Sequence, residues 1–263
     1  MRRIAHISDL HFGRHDPHKV EALLKSLTES RPELVAVSGD LTQRARDAEF
    51  VQARHFLERI AGPVLVVPGN HDVPLYNLHK RFFKPFTKFN RHIAPAGLDE
   101  SIYADEDMLV LGLNTARRLT WKNGRVSFDQ MAHIRRTFSE APAGAWKIVV
   151  THHPIASAHG EARVELAGRA ILALRELVDV GVHLLLSGHH HRPVSGEAAA
   201  ELLLNGSVLV VHAGTAVSTR TRGHDGNSYN LIGLEPGSVT VKVMAWSGDA
   251  FQEIQETRYP VAV

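Results

Sequence analysis

The sequence contains no cysteine. A disulfide scaffold and a thiolate metal site are therefore excluded, and the composition fits a reducing, cytoplasmic setting. Long apolar runs are missing too: no stretch approaches the ~20 residues of a transmembrane helix. The opening MRRIAHISDLHFG starts with two arginines, but Asp9 and His11 interrupt any apolar stretch, so no secretory signal is expected. Charge of either sign is not in excess. A formal net charge of +2 is too weak to indicate nucleic acid as a specific partner. What is present is enough apolar material, 44% of 263 residues, to exclude disorder and to build a substantial core. No repeat, linker or low-complexity stretch divides the chain, so one domain over 1–263 is the simplest organisation. Histidine is abundant, at 18 residues. It is a common metal ligand and the usual acid–base group near neutral pH.

The apolar pattern alternates between strand and helix. RRIAHIS reads as a strand, and KVEALLKSLTES as a helix with Val20, Leu23, Leu24 and Leu27 inward. ELVAVSG is continuously apolar, as a strand buried on both faces must be. A second helix in RARDAEFVQARHFLERIAG turns Phe50, Ala53, Phe56 and Leu57 inward, and PVLVVPG is a third strand. Further strands are expected in MLVLGLN, KIVVTHH, HLLLSGH, VLVVHAG, YNLIGLE and VTVKVMAW, with helices in SFDQMAHIRRTFSE and GRAILALRELVDVG. The β-α-β-α-β rhythm predicts a layered α/β fold. The helix-poor end predicts a second sheet packed on the first.

The polar residues fall in one topological place. The first strand ends in Asp9 and His11, the second in Asp40, and the third in Asn70, His71 and Asp72. KIVVT ends in His152 and His153, and HLLLSG in His189, His190 and His191. Sites in α/β sheets collect at the carboxyl ends of strands. Five strand ends that each deliver Asp, Asn or His are expected to converge.

These residues resemble the five motif blocks of the calcineurin-like metallophosphoesterases: Asp9-x-His11, Gly39-Asp40, Gly69-Asn70-His71-Asp72, His152 and Gly188-His189-x-His191. The blocks occur in order between residues 9 and 191. The resemblance implies a four-layer α/β/β/α sandwich with two mixed β-sheets and a dinuclear metal site at the strand carboxyl ends. It implies that Asp9, His11 and His191 hold one ion, that Asn70, His152 and His189 hold the other, and that Asp40 bridges them. Such a mixed oxygen and nitrogen set suits Mn, Fe, Zn or Co, as divalent or trivalent ions, better than Mg or Ca. Within the triplet, neighbours on an extended segment point to opposite sides while i and i+2 share a face. His189 and His191 are then ligands, and His190 turns away. The implied chemistry is hydrolysis of a phosphoester by metal-activated hydroxide. His71, beside Asn70, is the candidate general acid or transition-state donor, and Asp72 is expected to hold the turn.

Ser/Thr protein phosphatases carry GDxVDRG and GNHE where this chain reads GDLTQRA and GNHD, so Gln43 replaces an acid that would pair with the catalytic histidine. The chain looks more like the bacterial class III cyclic-nucleotide phosphodiesterases. A phosphodiesterase acting on cyclic-nucleotide or other small diesters is the first expectation. A pyrophosphatase for a nucleotide-linked lipid of the UDP-diacylglucosamine type is the alternative, with a non-catalytic scaffold as the third. A homodimer is left open. Arg44 and Arg220 are candidate substrate contacts, with Arg222 beside the latter; each reads equally well as a solvated loop residue. The segment between Val73 and Leu98 holds five Lys or Arg, five aromatics and no acid. It is expected as a helix with Phe82, Phe86, Phe89 and Ile93 on one stripe, kinked or begun at Pro85, and serves either as a packed helix or as a cap for anionic or lipid-bearing substrates. His55, His133, His183 and His212 are left as surface or core residues.

Overall fold

The structure is a computed structural model and describes residues 1–75, 78–95, 97, 101–120, 122–159, 161, 164–198, 208–221 and 226–261. In chain order the first half gives β1 (Arg2–Ile7), α1 (Pro17–Ser30), β2 (Leu34–Val37), α2 (Asp47–Glu58), β3 (Val64–Val66), α3 (Leu78–Phe83) and α4 (Thr87–His92). There follow β4 (Ile102–Ala104), β5 (Met108–Leu113), α5 (Phe128–Ser139), β6 (Trp146–Thr151), α6 (Ala170–Asp179), β7 (Leu184–Ser187), β8 (Val194–Glu197) and β9 (Leu209–His212). The chain closes with β10 (Ser228–Glu235), β11 (Ser238–Trp246) and β12 (Phe251–Pro260).

Two mixed six-stranded sheets form, in the orders β12-β11-β10-β1-β2-β3 and β4-β5-β6-β7-β9-β8. The parallel strands are β1, β2 and β3 in the first sheet and β5, β6, β7 and β9 in the second. Antiparallel strands flank them. The apolar runs explain the layering. In β2, Val35 and Val37 face a core shared with α1 and α2, while Leu34 and Ala36 face the core between the sheets. In β6, Ile148 and Val150 enter that same middle core, while Val149 faces α5 and α6. Each strand is apolar throughout because its two faces enter different cores. The result is the expected α/β/β/α sandwich. Full burial of each such aliphatic side chain contributes roughly 1.5–3 kcal/mol.

Local signals set the helix ends. The Asp16 side chain accepts from the His18 N–H at 2.9 Å and Pro17 fills the first turn of α1. Ser127 and Gln130 form a capping box on α5. No helix among the described residues is long and apolar enough to cross a membrane.

Three strands were not expected: β4, β8 and β12. The basic-aromatic segment also departs from expectation. It forms two short helices, α3 and α4, with Lys84, Pro85 and Phe86 between them, so no continuous stripe exists. Phe89 is buried against Phe50, whereas Phe82 and Phe83 are exposed. Proline cannot donate a backbone hydrogen bond inside a helix, and the break follows from it. Tyr76 and Asn77, also in this segment, lie outside the described residues.

α4 is tied to α2, since Lys88 Nζ donates to the Ala45 carbonyl at 3.1 Å and pairs with Asp47 at 2.7 Å. α3 is held by Arg81, which is 1% exposed. Its guanidinium donates to the carbonyls of Arg118 at 3.0 Å, Pro74 at 3.2 Å and Thr120 at 2.6 Å. Removing it leaves three inward carbonyls without that donor. We expect Arg81→Ala to lower unfolding free energy by roughly 2–4 kcal/mol, measured by urea denaturation followed by circular dichroism. A change under about 0.5 kcal/mol, the size of a surface effect, would show that water replaces the guanidinium without cost.

Candidate metal centre

The carboxyl ends of β1, β2 and β3 and of β6 and β7 lie at one edge of the sandwich. Backbone and side-chain bonds knit the two sheets there. The His189 N–H donates to Asp9 Oδ2 at 3.0 Å, and His152 Nδ1 lies 2.7 Å from the Ser38 carbonyl. The Thr215 hydroxyl donates to the Asp9 carbonyl at 2.7 Å. Two glycines permit the approach: a Cβ at Gly69 would overlap the Asp40 carboxylate, and one at Gly188 would overlap the Ser8 hydroxyl.

The structure brings Asp9, His11, Asp40, Asn70, His152, His189 and His191 together. Around one point, His191 Nε2 lies 3.0 Å from Asp9 Oδ1, and His11 Nε2 lies 3.4 Å from His191 Nε2, 3.6 Å from Asp9 Oδ1 and 3.8 Å from Asp40 Oδ2. Around a second, His152 Nε2 lies 3.2 Å from Asn70 Oδ1, 3.3 Å from His189 Nδ1 and 3.4 Å from Asp40 Oδ1. Ligands about 2.1 Å from one ion sit roughly 3.0–3.4 Å from each other. The two carboxylate oxygens of Asp40 thus face different groups.

Protonation supports the fit. His152 Nδ1–H donates to the Ser38 carbonyl, which leaves the Nε2 lone pair facing the oxygens of Asn70 and Asp40 and the Nδ1 of His189. A single proton on Nε2 satisfies one of these; a cation satisfies all. Asp9 Oδ1 is buried and faces His191 Nε2 at 3.0 Å, while its Oδ2 accepts from Ser8 at 2.7 Å. His191 Nδ1 meets the Arg220 carbonyl at 3.4 Å, which turns its Nε2 inward. Donor identity and spacing therefore fit transition-metal ions.

The electrostatics agree. Burial would raise the Asp9 and Asp40 carboxyls, but neighbouring histidines outweigh it and hold both well below the usual carboxylate range. Burial would lower His152, yet Asp40 and Asp9 raise it to about 9. His189 is pushed down to about 3 by burial and by His152. The field at the shared carboxylate favours positive charge.

Backbone conformation marks the same residues. Among the described residues, eight that are not glycine have positive φ, and five of these are Asp9, His11, Asp40, His189 and His191. A left-handed L-residue costs on the order of 1–3 kcal/mol, so such a concentration marks a functional constraint. It also corrects the reason given for the triplet. Residues 189–191 lie beyond β7, so strand alternation does not apply. Left-handed turns at His189 (φ 73°) and His191 (φ 60°) send these two side chains to opposite groups. The His190 ring sits 5.2 Å from that of His189 and 6.4 Å from that of His212.

His71 stands on the turn beside Asn70. Its N–H donates to Asp40 Oδ1 at 2.8 Å and its ring meets that of His11 edge-on at 4.8 Å. Position 43 still orients this ring, but through the main chain: His71 Nδ1 lies 2.8 Å from the Gln43 carbonyl. That loop is shaped by buried Glu49, whose Oε2 accepts from the amides of Arg44 at 2.8 Å and Arg46 at 3.2 Å. Asp72 holds the turn, accepting from Leu41, Thr42 and Gly69 amides at 3.2, 2.8 and 2.9 Å. Burial and the Asp40 charge raise its pKa to about 6. His153 uses both ring nitrogens, towards Thr115 Oγ1 at 2.8 Å and the Lys122 carbonyl at 3.0 Å. Arg44 and Arg220 are exposed, and the contact of Arg220 with the site is its carbonyl, on His191. Arg222 lies outside the described residues.

Sequence reasoning missed Ser8, Ser38, Glu49 and Thr215. All four act on or through backbone groups, which residue type does not advertise.

Residues 2–193 match the family model described as calcineurin-like phosphoesterase. The chain belongs to this family. The family is described as one of phosphoesterases and is a dinuclear metal enzyme family. Over 82 residues it is 40% identical to the glycerophosphodiester phosphodiesterase GpdQ of Enterobacter lignolyticus, a match spanning 26% of this chain and only 29% of that protein. It is 24% identical over 205 residues to a probable cyclic nucleotide phosphodiesterase of Synechococcus, covering 72% of this chain and 73% of the relative. A dimetal phosphatase from Danio rerio superposes with TM-score 0.69 at 12% identity, over 99% of both chains. Vacuolar protein sorting 29 from Cryptosporidium parvum superposes with TM-score 0.54 at 12% identity, over 98% of both. One fold spans a phosphatase and a sorting protein, so the fold alone does not decide the chemistry.

The triplet offers a direct check. We expect His189→Ala and His191→Ala each to reduce metal affinity by about 10–100-fold or more, read by competition with a chelating dye, and His190→Ala to have a much smaller effect. Equal losses for all three would mean that the left-handed turns do not sort the side chains.

Proposed function

We propose that this chain is a phosphodiesterase with two transition-metal ions, drawn from Mn, Fe, Zn or Co, and that its substrates are small phosphodiesters. Asp9, His11 and His191 would hold one ion, and Asn70, His152 and His189 the other. Asp40 would contribute one oxygen to each. The observation that carries this reading is the meeting of two donor groups at the Asp40 carboxylate, at ligand spacing, with lone pairs turned towards one another. No member of the expected set is missing, which argues against a non-catalytic scaffold. Two such ions, when bound, supply Lewis acidity that activates water and neutralises phosphate charge.

The chain's own residues supply the rest. Ser38 and Arg220 fix the tautomers of His152 and His191 through their carbonyls. Gln43 fixes His71 in the same way, so that Nε2 faces away from it and, in the imidazolium form of the ring, would deliver a proton to the departing oxygen. The two curated relatives are both named as phosphodiesterases, which supports a diester over a monoester. Exposed Phe82, Phe83 and Leu119, brought together where Arg118 Nη1 bonds the Phe82 carbonyl, favour the nucleotide–lipid pyrophosphatase as a second reading. Metal-reconstituted protein assayed on bis(p-nitrophenyl) phosphate, p-nitrophenyl phosphate, cyclic AMP and a UDP-linked diacyl sugar separates these. Preference for the monoester would sink the diesterase reading.

Metal analysis tests the bridge. Asp40→Asn should deplete both sites, whereas Asp9→Asn should mainly empty one. An Asp40→Asn protein that retains two equivalents per chain refutes the bridging role.

Leaving-group dependence tests His71. A general acid contributes roughly 10²–10⁴-fold, and more when the departing oxygen is basic. His71→Ala should keep its metals and lose far more activity on cyclic AMP than on bis(p-nitrophenyl) phosphate, because nitrophenolate leaves without a proton. Equal losses at full metal occupancy would assign charge stabilisation to His71 instead.

A further inference from the structure

Position 43 gives His71 no acid, and the main chain there leads to one. His71 Nδ1 meets the Gln43 carbonyl at 2.8 Å, and the amide nitrogen of the Gln43 side chain lies 3.4 Å from the same atom. That carbonyl is half of a peptide unit whose other half is the Arg44 N–H. The peptide is trans, so the two groups share a plane and point in opposite directions. The Arg44 N–H donates to Glu49 Oε2 at 2.8 Å. One peptide therefore meets His71 at its carbonyl end and a carboxylate at its amide end. Asp40 is also near, with a carboxylate oxygen within 4.8 Å of a His71 ring nitrogen, but its oxygens face the two donor groups.

Glu49 is firmly placed. It sits in the first turn of α2 with its side chain 8% exposed and turned back over the helix start. Oε2 takes a second amide, that of Arg46, at 3.2 Å. Oε1 lies against Gly13, where an added Cβ would come within 2.8 Å of it. Gly13 has φ 99°, a conformation that favours glycine, and stands two residues beyond His11. The carboxylate is thus wedged between the loop after β1 and the loop after β2. Those loops are joined through their main chains as well: the Phe12 N–H donates to the Leu41 carbonyl at 2.8 Å, and the Gln43 N–H to the Phe12 carbonyl at 2.9 Å. Arg46 Nε faces Oε1 at 4.0 Å, but its side chain is 67% exposed, so water screens much of that charge.

We propose that Glu49 is the acid that position 43 lacks, acting on His71 through the Gln43–Arg44 peptide. The inference rests on the phosphodiesterase reading above for what His71 does. An anion that accepts from the peptide N–H makes the carbonyl a stronger acceptor, because hydrogen bonds in a chain polarise one another. The carbonyl in turn keeps a proton on His71 Nδ1 and holds the ring in one orientation, with Nε2 facing away from the loop. The hydrogen bonds of Glu49 go to main-chain amides of that loop, so it is a positioning residue and not a catalytic one.

Glu49→Gln keeps the shape and exchanges one carboxylate oxygen for an amide nitrogen, which cannot accept. Nitrogen-15 NMR of the zinc-loaded full chain reads the His71 ring directly. The wild-type ring should show a single neutral tautomer, protonated on Nδ1, and the Glu49→Gln ring a mixture. In the same proteins the ratio of kcat/KM for cyclic AMP to that for bis(p-nitrophenyl) phosphate should fall roughly tenfold, a part of the 10²–10⁴-fold that a general acid contributes. Zinc content should be unchanged, with melting curves confirming the fold. Glu49→Asp, which keeps the charge and shortens the reach, gives the same test should Glu49→Gln not fold. Gln43→Glu added to Glu49→Gln brings a carboxylate to the ring from position 43 itself and should raise the ratio again, which repair of a merely structural defect would not do. An unchanged tautomer, an equal loss on both diesters, or a ratio that Gln43→Glu does not raise overturns the proposal. Wild-type protein that hydrolyses neither diester overturns the hydrolase reading, while the tautomers still decide whether Glu49 orients His71, so the two failures are distinct.

Discussion

Two ionised carboxylates, Asp9 and Asp40, are buried at the edge of the sandwich, and neither is tolerable there without positive charge close by. Much of the surrounding structure answers that constraint. Histidines from both sheets face the carboxylates, main-chain carbonyls fix their tautomers, and the His71 and His189 amides bond the carboxylate oxygens. The strained turns belong to the same response. Left-handed backbone at five of these residues compresses the chain after each strand, so that short loops deliver side chains to a small volume.

Around this rigid centre the segment after β3 is built differently. Its helices are short, and their attachment depends on a few long basic side chains rather than on a wide apolar stripe. Arg81 reaches main-chain carbonyls on both sides of a loop, and Lys88 joins α4 to α2. The exposed phenylalanines of α3 face solvent.

The layered fold was legible because strands such as LVAV and WKIVVT are apolar on both faces, and the site was legible because its ligands follow such strands. Other features were not. β12 is an edge strand with most of its residues exposed, so FQEIQETRYP carries no alternation to read. The break at Pro85 was visible, but its consequence for Phe82 depended on packing. Position 43 offers no acid to pair with His71, and Gln43 reaches that ring through its carbonyl instead, which residue type does not reveal. Arg220 likewise contributes main chain, where its side chain had read equally well as a substrate contact or as a solvated loop residue.

The ligand candidates are also spread along the chain in an instructive order. Asp9, His11, Asp40 and Asn70 come from the first sheet, while His152, His189 and His191 come from the second, and each group contains members of both sheets. A chain released only as far as β3 has therefore made no complete ion site. The chain must be synthesised past His191, and the sheets must dock, before either candidate ion site has its full set of donors. Metal capture is on this account a late event in maturation, and a half-made chain has little means of trapping the wrong ion.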